Sequence, residues 1–258
     1  MARKTTTQKV ALVTGGARRI GEAVCRALAR SGYSIALHYG ISGAAAEQTA
    51  RRIHKDGGVC ATFACDLANG HATGDLVPAV LEEFGRLDVL VNNASIFEKS
   101  SLESGSLESW DRHFAVNLKA PYILMRSFAR CAKEGSIINI LDTHIVRNNT
   151  SHAAYLLSKK TLAELTKMAA VEFAPRVRVN AVAPGLILPP AWPCLAGRRA
   201  AGRPGSQTDG YLDRLAKQIP LQRKGKVENI GHAVLFLLEN DYVTGQVIYV
   251  DGGEHLYG

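Results

Sequence analysis

The run KVALVTGGARRIGEAVCRALARSG, residues 9–32, constrains the fold more than any other stretch. It opens as an apolar strand, passes through a glycine turn, and continues as a helix with apolar residues at Ile20, Val24, Ala27 and Leu28. Strand, glycine turn and helix together make a phosphate cradle, because backbone N–H groups at the helix start face the anion. Gly15 and Gly21 stand where such a turn needs glycine, while Arg19 occupies the place of a middle glycine. Arg18 and Arg19 add cationic donors suited to phosphate, with solvated surface arginines as the alternative reading. The next strand, YSIALHY, discriminates between cofactors. A site for NAD commonly ends this strand with a carboxylate for the ribose hydroxyls. Here His38 and Tyr39 lead into Gly40, Ile41 and Ser42 without an acid, which predicts NADPH.

A second cluster points to proton transfer. Tyr155 and Lys159 stand four apart in the helix-forming run HAAYLLSKKTLAELTKMAAVEF and so share a face. An ammonium there would favour the phenolate and lower the tyrosine pKa, making Tyr155 a candidate acid. The alternative is an ordinary pair in which the lysine snorkels and the tyrosine packs. Asp142 follows SIINIL, which reads as a buried strand, and a residue just past a strand's carboxyl end lies where open α/β sheets bind ligands.

Seven β-branched runs, at Val10–Thr14, Ser34–Tyr39, Val59–Cys65, Leu87–Asn92, Ser136–Leu141, Val177–Val182 and Val247–Val250, alternate with helical stretches. That alternation predicts an α/β fold with a parallel sheet covered on both faces. With 258 residues, 47% hydrophobic, the chain suffices for one large core, read as one domain over 9–258 behind a flexible tail at 1–8. That tail lacks an apolar core, and no run is long enough to span a membrane, so a cytoplasmic protein is expected. The five cysteines, Cys25, Cys60, Cys65, Cys131 and Cys194, lack zinc-type spacing; they read as reduced thiols, mostly core packers, and no metal is expected. The net charge of +8 is dispersed without interleaved aromatics, so an anionic cofactor explains it better than nucleic acid.

Further motifs stand in order: CDL at Cys65–Leu67, NNAS at Asn92–Ser95, VNLKAP around Asn117, RVNAVAPG ending at Pro184 and Gly185, and VTGQVIYVDGG near the end. With the glycine turn and the tyrosine–lysine pair, they make the chain resemble the short-chain dehydrogenase/reductases from about Val10 to Gly253. The resemblance implies a Rossmann-type, doubly wound sheet of about seven strands. It also implies cofactor contacts from Gly15, Arg18, Arg19, Ile20, Gly21, His38, Tyr39, Ser42, Asp66, Leu67, Asn93, Ala94, Ser95, Tyr155, Lys159, Pro184, Gly185 and Ile187. Asn117 would sit in a local helix distortion and hold a water that connects Lys159 to solvent; an asparagine satisfying nearby backbone groups is the alternative. The family usually carries serine thirteen residues before the tyrosine, and Asp142 stands there. Aspartate at that place, arginine in the glycine turn, LHY in the second strand and NNAS-x-F resemble the pteridine reductase branch, including bacterial dihydromonapterin reductases. The basic residue that often follows LHY in that branch is absent at Gly40 and Ile41.

On that resemblance Phe97 stacks on a pterin ring, Ser95 and Arg19 border cofactor and substrate, and Asp142, Tyr155 and Leu188 complete the substrate site. Phe97 as a lid over the core is the alternative. A serine hydroxyl donates to a developing oxyanion, whereas an ionised carboxylate repels it; a pterin offers ring nitrogens and amino donors to a carboxyl group. The expected reaction is therefore hydride transfer from NADPH to a pterin, with Tyr155 as proton donor supported by Lys159 and Asp142. Alternatives are a carbonyl reductase of other substrates and a cofactor-binding scaffold whose catalysis has faded. The Pro/Gly/Ala-rich stretch within residues 186–212, with Trp192 and Tyr211, reads as a substrate lid or as a tolerated surface loop. The family resemblance favours a homotetramer joined through the helices around Asn117 and Tyr155 and through the last strand, with the terminal HLYG touching a neighbour's site.

Overall fold

The computed structural model describes residues 7–132, 134–187 and 207–257, with the backbone alone at 207–209 and 211. Leu188, Trp192, Cys194 and most of the 186–212 stretch, residues 1–6 and Gly258 lie outside the described residues, as does the side chain of Tyr211. Among the described residues seven strands form one sheet: β1 (Val10–Val13), β2 (Ser34–Tyr39), β3 (Cys60–Ala64), β4 (Val89–Asn92), β5 (Gly135–Ile140), β6 (Val177–Pro184) and β7 (Val247–Val250). All neighbours are parallel, in the order β3-β2-β1-β4-β5-β6-β7. Each strand run read from the sequence falls on one of these strands.

The helices between them are α1 (Arg19–Arg30), α2 (Gly43–Lys55), α3 (Gly70–Phe84), α4 (Leu107–Phe114), α5 (Ala120–Cys131), α6 (Ala153–Phe173), α7 (Gln207–Gln218) and α8 (Val227–Glu239). Alternate strand residues feed two cores on opposite faces of the sheet. Ala11 and Val13 of β1 join Val24 and Leu28 of α1, Ile53 of α2 and Val234 of α8. Val10 and Leu12 join Val80 of α3, Leu124 and Phe128 of α5 and Ala170 of α6. Burying both faces explains why the strands read as continuous apolar runs. Each fully buried Leu, Ile or Phe contributes about 1.5–3 kcal/mol, and Phe128, Leu12 and Ile35 are of that kind.

The strand order reverses between β1 and β4. The space beyond the strands' carboxyl ends at such a reversal is where open parallel sheets take their ligands. Residues Ala115–Lys119 between α4 and α5 form a single π-helical turn, a distortion that turns the Asn117 side chain inward. Among the described cysteines, Cys25 and Cys60 are buried in one core, Cys65 packs half-buried against the other, and Cys131 is exposed. All of them are free thiols.

Candidate active site

At the end of β1 the chain turns sharply enough to put backbone where side chains would normally be. Gly15 has φ +62°, and a Cβ on it would meet Ala94 Cα at 3.0 Å. A Cβ on Gly21 would lie 2.1 Å from the Gly15 carbonyl oxygen, so only glycine fits. Arg19 has φ +57°, the left-handed conformation that makes a glycine expected there. Its side chain is exposed, and partial desolvation lowers its pKa from the ordinary value. Two neighbours fix the turn. Thr14 Oγ1 accepts from the N–H groups of Asn93 (2.9 Å) and Ala94 (3.0 Å), and Asn93 Nδ2 donates to the Thr14 and Gly15 carbonyls. Thus the NNAS motif at the end of β4 is clamped against the glycine turn.

His38 takes a different place from the one expected of it. It is buried beneath the turn, with Nδ1 accepting from Gly15 N–H at 3.1 Å and Nε2 facing the Cys65 carbonyl at 2.9 Å. Those partners require the neutral ring with hydrogen on Nε2, and burial lowers its pKa in the same sense. Both nitrogens are spent on the protein, so His38 supports the turn and offers no donor to a ligand. Ser42, at the N-terminus of α2, makes no side-chain capping bond. Asp66 is exposed and accepts from Ala68 N–H, while Leu67, Pro184 and Ile187 are buried and Ile20 packs against the core. Gly185 lies so close to Asp251 that a Cβ would approach its side chain to 2.4 Å.

The polar cluster sits beyond β5. Tyr155 Oη donates to Asp142 Oδ2 at 2.8 Å. Lys159 is 2% exposed, and its Nζ donates to the Ile140 carbonyl at 2.7 Å. The two α6 side chains share a buried face with Ser158, Leu162 and Thr166, as their spacing requires. The electrostatics reverse one expectation: the Tyr155 pKa is raised, not lowered. Burial is the main cause, and the charge and hydrogen bond of Asp142 act in the same direction. Burial also pulls Lys159 down to about 8, against the attraction of Asp142. For Asp142, burial pushes the carboxyl up, but bonds and charge from His144 and the Tyr155 hydroxyl outweigh it and hold the pKa below the ordinary value. The protein alone therefore presents a neutral phenol to an ionised carboxylate.

Asn117 ties the segment after β4 to α6. Its Oδ1 accepts from Ile96 N–H (2.9 Å) and Ser95 Oγ (3.2 Å), and its Nδ2 donates to the Ile96 carbonyl and to Ser158 Oγ, both at 3.1 Å. Ser158 Oγ in turn donates to the Tyr155 carbonyl. These are the backbone-satisfying bonds of the plainer reading, made from within the helix distortion that the resemblance implied. Phe97 stands over Tyr155 edge-on, with ring centroids 4.6 Å apart at 86°, and stacks on His152 at 4.3 Å and 7°. It is 41% exposed, so one side of its ring faces outward.

Four residues of this neighbourhood escaped sequence reading. His144 N–H and Nδ1 both donate to Asp142 Oδ1 at 2.8 Å, and its Nε2 lies 3.2 Å from Glu254 Oε1. Asp251 accepts from Thr143 Oγ1 and His255, and His152 supports Phe97. The D-T-H spacing, in which an aspartate caps the N–H two residues on, was the one local signal for His144. Glu254 and Asp251 are more than a hundred residues away and left none. The C-terminal segment thus reaches the site of its own chain.

An open parallel sheet with a glycine turn at its reversal point, and a tyrosine, lysine and carboxylate gathered beside it, is the arrangement of a dinucleotide-dependent oxidoreductase. A family profile described as Enoyl-(Acyl carrier protein) reductase matches residues 15–255. The 3-oxoacyl-[acyl-carrier-protein] reductase FabG of Staphylococcus epidermidis is 33% identical over 254 residues, covering 96% of this chain and 99% of its own. An uncharacterized oxidoreductase of Methylorubrum extorquens is 34% identical over 249 residues, covering 95% and 97%. Among solved structures, FolM Alternative dihydrofolate reductase 1 from Brucella canis, complexed with NADP, superposes with a TM-score of 0.85 at 36% identity, covering 97% of this chain and 95% of that one. A mutant of a Serratia marcescens short-chain dehydrogenase/reductase gives a TM-score of 0.84 at 32% identity, covering 98% and 100%. The chain belongs to the short-chain dehydrogenase/reductase family.

Proposed function

We propose that this protein is an NADPH-dependent reductase of pterins, taking a dihydropterin to its tetrahydro form. The observation that carries the reading is the ionised Asp142, 2.8 Å from Tyr155 Oη, where the family usually has serine. A carboxylate repels the oxyanion of a reduced carbonyl but accepts from the N–H and amino donors along one edge of a pterin. The resemblance to FolM, named as an alternative dihydrofolate reductase, supports the same substrate class, because dihydrofolate carries a pterin ring. The relatives named 3-oxoacyl reductases favour the second reading, reduction of a carbonyl.

The residues fit the cofactor on structural grounds. The tight Gly15–Gly21 turn leads into the N-terminus of α1, whose first N–H groups would face a pyrophosphate, and β2 ends without an acid. When bound, NADPH supplies the hydride. Arg18, Arg19 and Ser42 would hold phosphates, and Asp66, Leu67, Asn93, Ala94, Ser95, Pro184, Gly185 and Ile187 would line the remainder. Tyr155 gives its proton to a ring nitrogen; its raised pKa keeps that proton in place until substrate basicity draws it off. Lys159, drawn down to about 8, is poised to exchange protons near neutrality, and Asn117 fixes the loop that carries Ser95 and Phe97. Phe97 supplies an aromatic face for a planar ring. We propose that the chain assembles as a homotetramer. It is supported by the apolar outer face of α4, α5 and α6, where Tyr122, Leu157, Met168 and Val171 are exposed beside a groove of about 610 Å³.

The test is Asp142→Ser. The variant should lose pterin reduction by about 100-fold or more and gain on a quinone or β-keto thioester, while NADPH affinity stays the same. Pterin turnover unaffected by the change would exclude Asp142 from the substrate site.

A further inference from the structure

The cluster does not end at Asp142. Both oxygens of that carboxylate are used: Oδ2 accepts from Tyr155 Oη, and Oδ1 from the backbone N–H and Nδ1 of His144. His144 Nε2 points at Glu254 Oε1, and Glu254 Oε2 accepts from Leu186 N–H at 3.1 Å. Arg147 Nη2 donates to the Glu254 carbonyl, and Thr143 Oγ1 to Asp251 Oδ2. Tyrosine, aspartate, histidine and glutamate thus form a continuous chain from the proton donor to the C-terminal turn (Glu254–Leu256) and to the residue after Gly185. Both ring nitrogens of His144 face carboxylate oxygens, which only accept when ionised, so both must carry hydrogen and the ring is an imidazolium.

We propose that His144, gripped by Glu254, is a positioning residue for Asp142: it pins Oδ1, leaves Oδ2 directed at Tyr155, and keeps the carboxylate ionised in the presence of substrate. This rests on the reading of Asp142 and Tyr155 as the reacting pair. A carboxylate on so short a turn would otherwise rotate or take up a proton when buried. The second carboxylate supplies the charge that lets one imidazole serve Asp142 without losing its own proton. Hydrogen bonds to Asp142 and Glu254 raise the His144 pKa, against burial, to about 10. The other charged or titratable groups around it are Arg147 at the end of its own turn, His152 just before α6, Tyr155 and Lys159 from α6, and Asp251 and His255 from the C-terminal segment. Because Glu254 also holds Leu186 N–H, the state of Asp142 is tied to the chain that leaves β6.

The test uses the full-length protein with E254Q and H144Q. Carbon-13 NMR of the imidazole Cε1 should show wild-type His144 flat between about pH 5.5 and about pH 9, and E254Q should bring its titration into that window. In H144Q the acidic limb of kcat/KM should move up by about one pH unit, whereas in E254Q, where His144 is still protonated in acid, that limb should not move up; NADPH affinity should be unchanged in both. The pH profile is taken on whichever of dihydrobiopterin or a quinone the wild type reduces. Failure on the pterin therefore sinks the proposed substrate and leaves this inference decidable. A uniform loss of rate in H144Q with an unmoved acidic limb, or a wild-type His144 that titrates near its ordinary value, overturns it. E254Q lies away from the reacting atoms, and if H144Q does not fold the His144 titration by NMR in wild type and E254Q decides the proposal, an E254Q titration no lower than wild type overturning it.

Discussion

Replacing Gly21 by alanine adds one methyl group and should damage both stability and cofactor binding. The new Cβ would lie 2.1 Å from the Gly15 carbonyl oxygen and 2.7 Å from Asn93 Nδ2, so the carbonyl has to retreat by about 0.9 Å to reach the 3.0 Å that real Cβ contacts respect. Backbone cannot swing aside as a flexible side chain would. Overpacking of this kind costs about 1–3 kcal/mol. The movement also pulls Gly15 from two partners, Asn93 Nδ2 and His38 Nδ1, each at 3.1 Å and each worth about 1 kcal/mol. The expected loss is about 3 kcal/mol, a large part of a typical stability of about 5–15 kcal/mol. Urea unfolding measures it, and NADPH titration by fluorescence should show at least about tenfold weaker binding, because the turn sets the place of the α1 N-terminus, whose N–H groups are those proposed to face the phosphates. Gly74→Ala is the control. Gly74 lies inside α3 with nothing within 4 Å of its Cβ position, so the same change there should stabilise by about 0.5–1 kcal/mol. A G21A protein as stable as wild type with unchanged NADPH affinity would refute the description of the turn.

Asn117→Ala leaves the half-buried Ile96 N–H without its partner and the Ile96 carbonyl with Ser95 Oγ alone, and should cost about 1–3 kcal/mol in urea unfolding, more than a surface asparagine would. Phe97→Leu removes the ring facing Tyr155 and His152 while keeping bulk; KM for a dihydropterin should rise about tenfold, and that for a small quinone much less, by steady-state kinetics. For His144 the folded pKa, about 10, lies above the ordinary histidine value of 6.5, so its stabilisation is complete below about pH 6.5 and is lost as pH rises through 10. Lys159, lowered to about 8, contributes with the opposite sign across the upper part of that window. The observable is therefore the stability difference between wild type and H144Q, which should shrink steadily from about pH 7 to about pH 10 in denaturant titrations.

Local pattern carried much of this molecule. The strands were legible because β-branched runs buried on both faces leave an uninterrupted signal, and the glycine turn because steric exclusion at Gly15 and Gly21 selects one residue type. Tyr155 and Lys159 were legible as one face because helical spacing alone brings them together, and the structure adds Ser158 to it. The electrostatics were not. Nothing in the four-residue spacing tells whether Lys159 addresses the phenol or, as here, the Ile140 carbonyl at the end of β5. His38 misled for a related reason: a polar residue at the end of β2 reads as ligand-facing, but strand alternation and the Gly15 N–H turn it inward. Glu254 contributes to the site through the packing of the last turn, a contact that no sequence neighbour of Asp142 announces.

The most direct measurement follows NADPH oxidation by the purified protein with dihydrobiopterin, with a quinone and a β-keto thioester in parallel, and with methotrexate added to the pterin reaction. Pterin-selective turnover, inhibited by methotrexate, is the predicted result and would place Asp142 and Phe97 at a pterin ring. Turnover of the quinone or thioester with none of the pterin would contradict the account and leave a carbonyl reductase in which the aspartate has another purpose.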